Sequence, residues 1–412
     1  LISVEEALNT ILPHIKVLGT ERVTIQNSLG AILSEDICAP FNVPPLDNSA
    51  MDGYAVKASD IDGASEQNPA KLKISGELPA GYISKDLLKK GEALRIMTGA
   101  PVPEGADTVV MQEDTRTENG SVEIFSDISA GTNIRKAGED IAAGQLLFET
   151  GTRIRPAHIG TLASIKKALV SVYQRPRVAI LSTGDELVDL DGDLTGGKII
   201  SSNTYSLFSL VAENGGIPVN LGIGRDTKEA LKEKFLGGLH SDIILSSGGV
   251  SVGDYDFVKD VLQELGLDMK FWKVSMRPGQ PLAFGMINEK PAFGLPGNPV
   301  SVMVSFEQFV RPAIRKMMGY KKLFRPLITG TAIGEVKTRK GKKHFIRCVI
   351  KIEDGQYTVS TTGAQGSGML TSMAAANGLM VVPEDRDCIK PGDTVKVQVL
   401  DAEFGATEEP GY

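Results

Sequence analysis

From Arg177 onward, short apolar runs alternate with amphipathic ones, and few architectures accept that order. Val178-Ala179-Ile180-Leu181, Val219-Asn220-Leu221-Gly222-Ile223 and Ile243-Ile244-Leu245 read as strands. Between them, a helix capped by Ser202 or Asn203 reaches Asn214, and a second spans 228–239. A third helix covers 257–265, and 269–274 is extended again. Asn298-Pro299 then opens a long helix toward Gly319, with a kink expected at Pro312. Strands separated by helices imply a doubly wound parallel sheet, the α/β class.

The flanks read differently. Residues 3–18 form a helix, with Ser3 as cap and Glu6 completing a capping box. Between 40 and 140, short alternating runs such as Leu72-Lys73-Ile74 and Thr108-Val109-Val110-Met111 are broken by glycine, proline and acidic clusters, so that region is β-rich with long loops. A helix opens at Pro156 and runs to about 167. After Phe324 the chain is strand-like, with hairpin signals at Asp354-Gly355 and Pro391-Gly392-Asp393, as in a small closed β-barrel. Residues 407–412 are expected to be mobile.

Composition narrows the chemistry. The 412 residues carry a formal charge of −7, which disfavours general nucleic-acid binding, so an anionic ligand must find a local basic patch. No run of about 18 apolar residues suggests a membrane span. Cys38, Cys348 and Cys388 are far apart and the histidines lack HExxH spacing, so free thiols in a reducing cytoplasm are expected, without zinc. Leu1 is not a natural start, and the native N-terminus is expected upstream.

In an open parallel sheet, ligands bind beyond the carboxyl ends of the strands. Four polar loops belong there: 182–186 (STGDE), 224–226 (GRD), 246–256 (SSGGVSVGDYD) and 295–301 (LPGNPVS). Each has a plainer reading. STGDE also suits a turn with a helix cap, Asp226 an N-cap for the helix from Lys228, Gly248-Gly249 a tight turn, and Asn298-Pro299 a helix start. Their convergence favours a ligand. Glycines let backbone N–H groups approach an anion, whereas carboxylates repel one unless a cation intervenes. Glu186 and Asp256 are hard oxygen donors suited to Mg²⁺ shared with phosphate.

Lys273 and Arg277 sit near a further strand end, and a basic run at 337–347 stands out in an acidic protein. That run fits a solvated hairpin tip, a nucleic-acid patch poor in stacking aromatics, or an attractor for a small polyanion. The loops 47–56 and 134–141 are too patterned for linkers.

NSAMDGYAV, RIMTGAPVPEGADTVVMQED, IRKAGEDI, STGDEL, SSGGVSVGDYD, GLPGNPVS and TTGAQGSGML, in this order, resemble the molybdopterin molybdenumtransferases, relatives of the gephyrin C-terminal domain. The resemblance spans nearly the whole chain. It implies an elongated, cytoplasmic homodimer. Residues 1–40 with 141–170 would form a linker or dimerisation domain, 41–140 an inserted β-rich domain, 171–320 a molybdopterin-binding α/β domain, and 321–412 a β-barrel. The implied reaction inserts molybdate into the dithiolene of adenylylated molybdopterin, with Mg²⁺-assisted release of AMP. Glu186 and Asp256 would hold the metal, with Asp226 beside them. Ser247, Gly248, Gly249, Ser251, Pro296, Gly297 and Asn298 would cradle pterin and phosphates. Arg277, Ser301, Arg347 and Ser367 would line the molybdate side with Lys273 nearby, and Asp52, Thr98 and Asp140 would enter from the other subunit. A molybdopterin adenylyltransferase or an apo-molybdoenzyme would be the exchange partners. The resemblance also admits a gephyrin-type scaffold or an adenylyltransferase. Two residues depart from the family pattern: Arg277 stands where lysine is common, keeping charge but offering a planar fork, and Asp254 where glutamate is common.

Overall fold

The computed structural model describes residues 1–249, 257–401 and 403–406. Ser251, Asp254, Asp256 and the 407–412 tail lie outside the described residues. The chain divides into two compact units, residues 1–21 with 173–412, and residues 22–172.

The larger unit holds the expected α/β pattern. Its elements are β1 (Arg177–Thr183), α1 (Ser202–Glu213), β2 (Ile217–Gly224), α2 (Lys228–Gly238), β3 (Ile243–Ser247), α3 (Phe257–Glu264), β4 (Asp268–Lys273), β5 (Pro281–Ile287), β6 (Lys290–Leu295) and α4 (Pro299–Ser305). The six strands are ordered β2-β1-β3-β6-β5-β4. β2, β1, β3 and β6 are mutually parallel, and β5 runs antiparallel between β6 and β4, so the sheet is mixed. The β5–β6 hairpin escaped the sequence reading because its turn, Asn288-Glu289, reaches positive φ at both residues without glycine. β1 and β3 are buried along almost their whole length, as strands covered on both faces must be.

Local capping departs from expectation at two points. α1 is preceded by Ser201, so neither Ser202 nor Asn203 is its cap. Thr227, not Asp226, caps α2, its hydroxyl accepting from the Ala230 N–H. The first helix spans Val4–His14 with its capping box formed, and ends before 18. The long helix from Pro299 is interrupted beside Pro312. It passes through a π-helical turn at Phe306–Val310 before resuming as Arg311–Met317, because Pro312 has no N–H to continue the ladder.

Beyond it lie β7 (Leu327–Ala332), β8 (Lys343–Glu353), β9 (Gln356–Thr361), β10 (Gly378–Val382) and β11 (Thr394–Val399). They close in the order β8-β9-β7-β11-β10, with β10 returning to β8. Asp354-Gly355 forms the β8–β9 hairpin, both residues at positive φ. Pro391-Gly392-Asp393 is a turn but no hairpin, since Cys388–Ile389 pairs instead with Val336–Lys337. A short helix, Leu370–Ala374, interrupts the strands. Cys348 lies in the barrel core, where burial pushes its thiol up to about 12, so it packs as an apolar residue. The barrel is tied to the α/β part by Met276–Arg277, which pairs in parallel with Lys343-His344.

The smaller unit carries a six-stranded sheet, ordered Thr108–Met111, Gly53–Val56, Glu92–Ile96, Ala70–Leu78, Ser121–Ile124, Thr115–Glu118. A separate core gathers Leu33, Ile37, Ile141, Leu162 and Val170 around the helix Pro156–Ser164. Among the described residues, no helix is long and apolar enough to cross a membrane.

Candidate active site

Parallel pairing puts the ends of four strands on one edge. Thr183 is level with Gly224, Ser182 with Ser247, and Ser247 with Leu295. All four loops singled out in the sequence therefore leave from that edge. Gly248 and Gly249 adopt φ of 91° and 64° there, and a side chain on Gly248 would meet the Thr183 carbonyl at 2.5 Å. Only glycine allows this approach. The glycine loop also touches the PGNP loop, the Gly248 N–H donating to Leu295 O at 3.2 Å.

Asn203 adds a link that the sequence reading assigned to helix capping. Its side-chain Nδ2 donates to Ser247 Oγ at 2.9 Å and to Gly297 O at 2.7 Å. Ser247 in turn donates to Pro296 O at 3.3 Å. The Thr183 and Ser246 hydroxyls beside this edge are buried without a partner among the described residues.

Acidic groups gather at the other end of the edge. The Asp185 N–H donates to the Asp226 carboxylate and the Asp226 N–H to the Asp185 carboxylate, both at 3.3 Å. Burial, with the negative charges of Asp185 and Glu186 adding to it, holds the Asp226 carboxyl above the usual carboxylate range. Lys198 reaches the Asp185 carbonyl. Among the described residues no three His, Cys, Asp or Glu groups are placed to hold a metal alone. Hard oxygens in this number suit a divalent cation whose shell is completed by substrate and water.

A second feature lies between the α/β part and the barrel. A cavity of about 650 Å³ is lined by residues that include Arg277, Lys337, Arg339, Lys342 and Arg347, and, among the described residues, by no carboxylate. Ser301, from the first turn of α4, and Ser367 also line it. The basic run is a solvated tip only in part: Lys337, Arg339 and Lys340 are exposed, yet Lys337, Arg339 and Lys342 line the cavity, and His344 and Arg347 are only 3% and 1% exposed. Arg347 Nε donates to Ser372 Oγ and Nη2 to Gly366 O, each at 3.0 Å. The Arg277, Lys337 and Arg339 side chains form no ion pair among the described residues, and Lys342 meets the Gln280 amide. His344 Nε2 lies 3.0 Å from Arg339 O. Burial, then the charges of Arg277 and Lys342, hold its pKa below the ordinary value, while the Arg339 contact opposes them. The Val300 N–H donates to Ser367 O at 3.0 Å, fastening the start of α4 to the barrel loop. Lys273 ends β4 and does not line this cavity.

The remaining nominated residues lie in the smaller unit. Asp52 accepts from the Thr98 N–H and hydroxyl, both at 2.7 Å, and these bonds hold its carboxyl below the usual range. Ile134-Arg135 pairs with Asn48-Ser49, so two motifs that looked like separate loops form one ladder, with Asp140 exposed beyond it.

Comparisons with known proteins match these parts one by one. Residues 2–165 match the MoeA N-terminal region (domain I and II), 179–316 a probable molybdopterin binding domain, and 330–400 the MoeA C-terminal region (domain IV). The chain belongs to the molybdopterin molybdenumtransferase family. The member from Nostoc sp. is 41% identical over 387 residues, covering 92% of this chain and 89% of its own. That from Haemophilus influenzae is 37% identical, covering 92% and 93%. A crystal structure of the molybdopterin biosynthesis MoeA protein from Pyrococcus horikoshii aligns with a TM-score of 0.86 at 33% identity, over 98% of this chain and all of that one.

Proposed function

We propose that this protein inserts molybdate into the dithiolene of adenylylated molybdopterin and releases AMP, yielding molybdenum cofactor. The observation that carries this reading is the cavity lined by Arg277, Lys337, Arg339, Lys342 and Arg347, without a carboxylate among the described residues. Uncompensated cations in a partly desolvated cavity favour a dianion, and Ser301 and Ser367 add neutral hydroxyl donors. Arginine at 277 keeps the charge that lysine would bring and adds a bidentate fork.

The organic substrate belongs at the strand ends. Backbone groups of Gly248, Gly249, Gly297 and Asn298, with Ser247, Ser251 and Pro296, would seat its pterin and phosphates. Glu186 and Asp256, with Asp226 alongside, would hold Mg²⁺, a role supported by the partly buried Asp226 carboxyl, which burial and then its acidic neighbours hold above its ordinary pKa. When bound, the cation neutralises charge that develops as the phosphoanhydride breaks. Lys273, beyond the cavity lining, would contribute long-range positive charge only. The protein would act as a homodimer in the cytoplasm, with Asp52, Thr98 and Asp140 of the partner subunit completing the cleft. The four-part division at 1–40 with 141–170, 41–140, 171–320 and 321–412 belongs to the same reading. Substrate would arrive from a molybdopterin adenylyltransferase and product leave to an apo-molybdoenzyme.

The test is AMP release from adenylylated molybdopterin with Mg²⁺, with and without molybdate. Molybdate-dependent release is expected. Binding without release would point to a carrier or scaffold.

A further inference from the structure

The geometry points to Asn203 as a positioning residue that locks the glycine loop to the PGNP loop, and so sets the affinity for the organic substrate. This rests on the reading that those two loops seat that substrate. The amide orientation is fixed by its neighbours. Gly297 O can only accept, and the Ser247 proton is committed to Pro296 O at 3.3 Å, so both neighbours require a donor from Asn203. Nδ2 supplies both bonds, at 2.9 and 2.7 Å. The opposite atom, Oδ1, is buried without a partner among the described residues, a cost that the two bonds on the Nδ2 side must outweigh.

No local rule asks for this side chain. Asn203 does not cap α1, since Ser201 occupies the cap position. Apart from Asn203, the two loops meet through the Ser247 hydroxyl on Pro296 O, the Gly248 N–H on Leu295 O and a close backbone approach, the Gly248 Cα lying 3.9 Å from where a Gly297 side chain would begin. From the first turn of α1, Asn203 thus joins two of the four loops, those following β3 and β6. Its reach stops short of the basic cavity. Arg347 there is held by Ser372 and Gly366, and Val300 by Ser367, without Asn203. Asn203 should therefore affect one ligand and spare the other. A residue that merely stabilised the fold would not separate them.

The experiment titrates the full chain with adenylylated molybdopterin and, separately, with molybdate by isothermal calorimetry, and follows AMP release. Asn203→Ala is expected to weaken the organic substrate by about tenfold, through loosened loops. Its KM should rise with kcat within about threefold, and molybdate affinity should stay within about twofold. Asn203→Asp keeps the shape but sets a carboxylate against Gly297 O, and should bind no better than the alanine variant. Combined with Ser247→Ala, Asn203→Ala should cost less than the product of the single losses, because the two residues share a bond. An organic-substrate affinity unchanged in both Asn203 variants overturns the proposal. So does equal weakening of both ligands with a lowered unfolding temperature, which would mark Asn203 as structural. A wild-type protein that fails to bind the organic substrate removes the functional reading and this one together. One that binds it without releasing AMP removes the functional reading alone.

Discussion

Replacing Arg347 by methionine separates anion binding from stability. Two donor bonds disappear, to Ser372 Oγ and Gly366 O, each 3.0 Å long. Neither acceptor is abandoned. Gly366 O still receives the Met369 N–H at 3.3 Å, and the Ser372 hydroxyl still bonds Met369 O at 2.6 Å. Hydrogen bonds from a charged group are worth about 1.5–3 kcal/mol each. Against that loss, the guanidinium of a residue only 1% exposed, whose pKa burial pulls down, no longer has to be desolvated, which costs several kcal/mol per buried ion. The two terms nearly cancel, so the chemical-denaturation midpoint should barely move. The anion has no such compensation. Losing one charged donor at about 1.5–3 kcal/mol weakens it roughly 10- to 150-fold, since each 1.4 kcal/mol is a factor of ten. Arg347→Lys should fall between, keeping the charge without the fork. Calorimetric titration with molybdate and with tungstate reads the affinity, and urea unfolding reads the stability. A molybdate affinity within twofold of wild type in Arg347→Met would refute the assignment of the basic cavity. A collapse in stability would refute the cancellation.

Four further outcomes follow from the same geometry. Arg277→Lys should retain molybdate-dependent turnover, with a shifted KM for molybdate, because the charge survives and only the fork is lost; complete inactivity would show that the planar geometry is required. Glu186→Gln should raise the Mg²⁺ concentration needed for half-maximal AMP release by roughly 10- to 100-fold; an unchanged Mg²⁺ profile removes Glu186 from the metal site. Gly248→Ala forces a side chain into left-handed backbone at φ 91° and against the Thr183 carbonyl, and should lower unfolding free energy by about 1–3 kcal/mol or more, measured in urea. His344 is the pH reporter: its folded pKa lies below that of the unfolded chain, so its contribution is present above the ordinary value of about 6.5 and lost as pH falls through that value toward the folded one. A bound dianion offsets the Arg277 and Lys342 charges and should raise the His344 pKa, visible by NMR titration with and without tungstate; no change would place the anion elsewhere.

The sequence revealed most where function is built on regular periodicity. The apolar runs at Val178 and Ile243 are long enough to identify buried parallel strands, and that alone forces the loops after Thr183, Gly224, Ser247 and Leu295 onto one edge. What it hid depends on contacts between distant segments. The two-residue pairing of Met276-Arg277 with Lys343-His344 has no local signature, yet it brings Arg277 beside the barrel. Without that pairing the basic run at 337–347 is indistinguishable from a solvated tip; with it, part of the run becomes the wall of a cavity shared with Arg277. Asn203 was misread for a related reason. Asparagine near a helix start is favoured as a cap, so a propensity rule claimed it first. The side chain instead meets Ser247 and Gly297, residues far along the chain. Propensity assigns a polar residue to the nearest unsatisfied backbone group, whereas a folded site can offer it better partners from across the sheet. A residue whose local explanation fails in the structure is therefore the place to look for a role in the reaction.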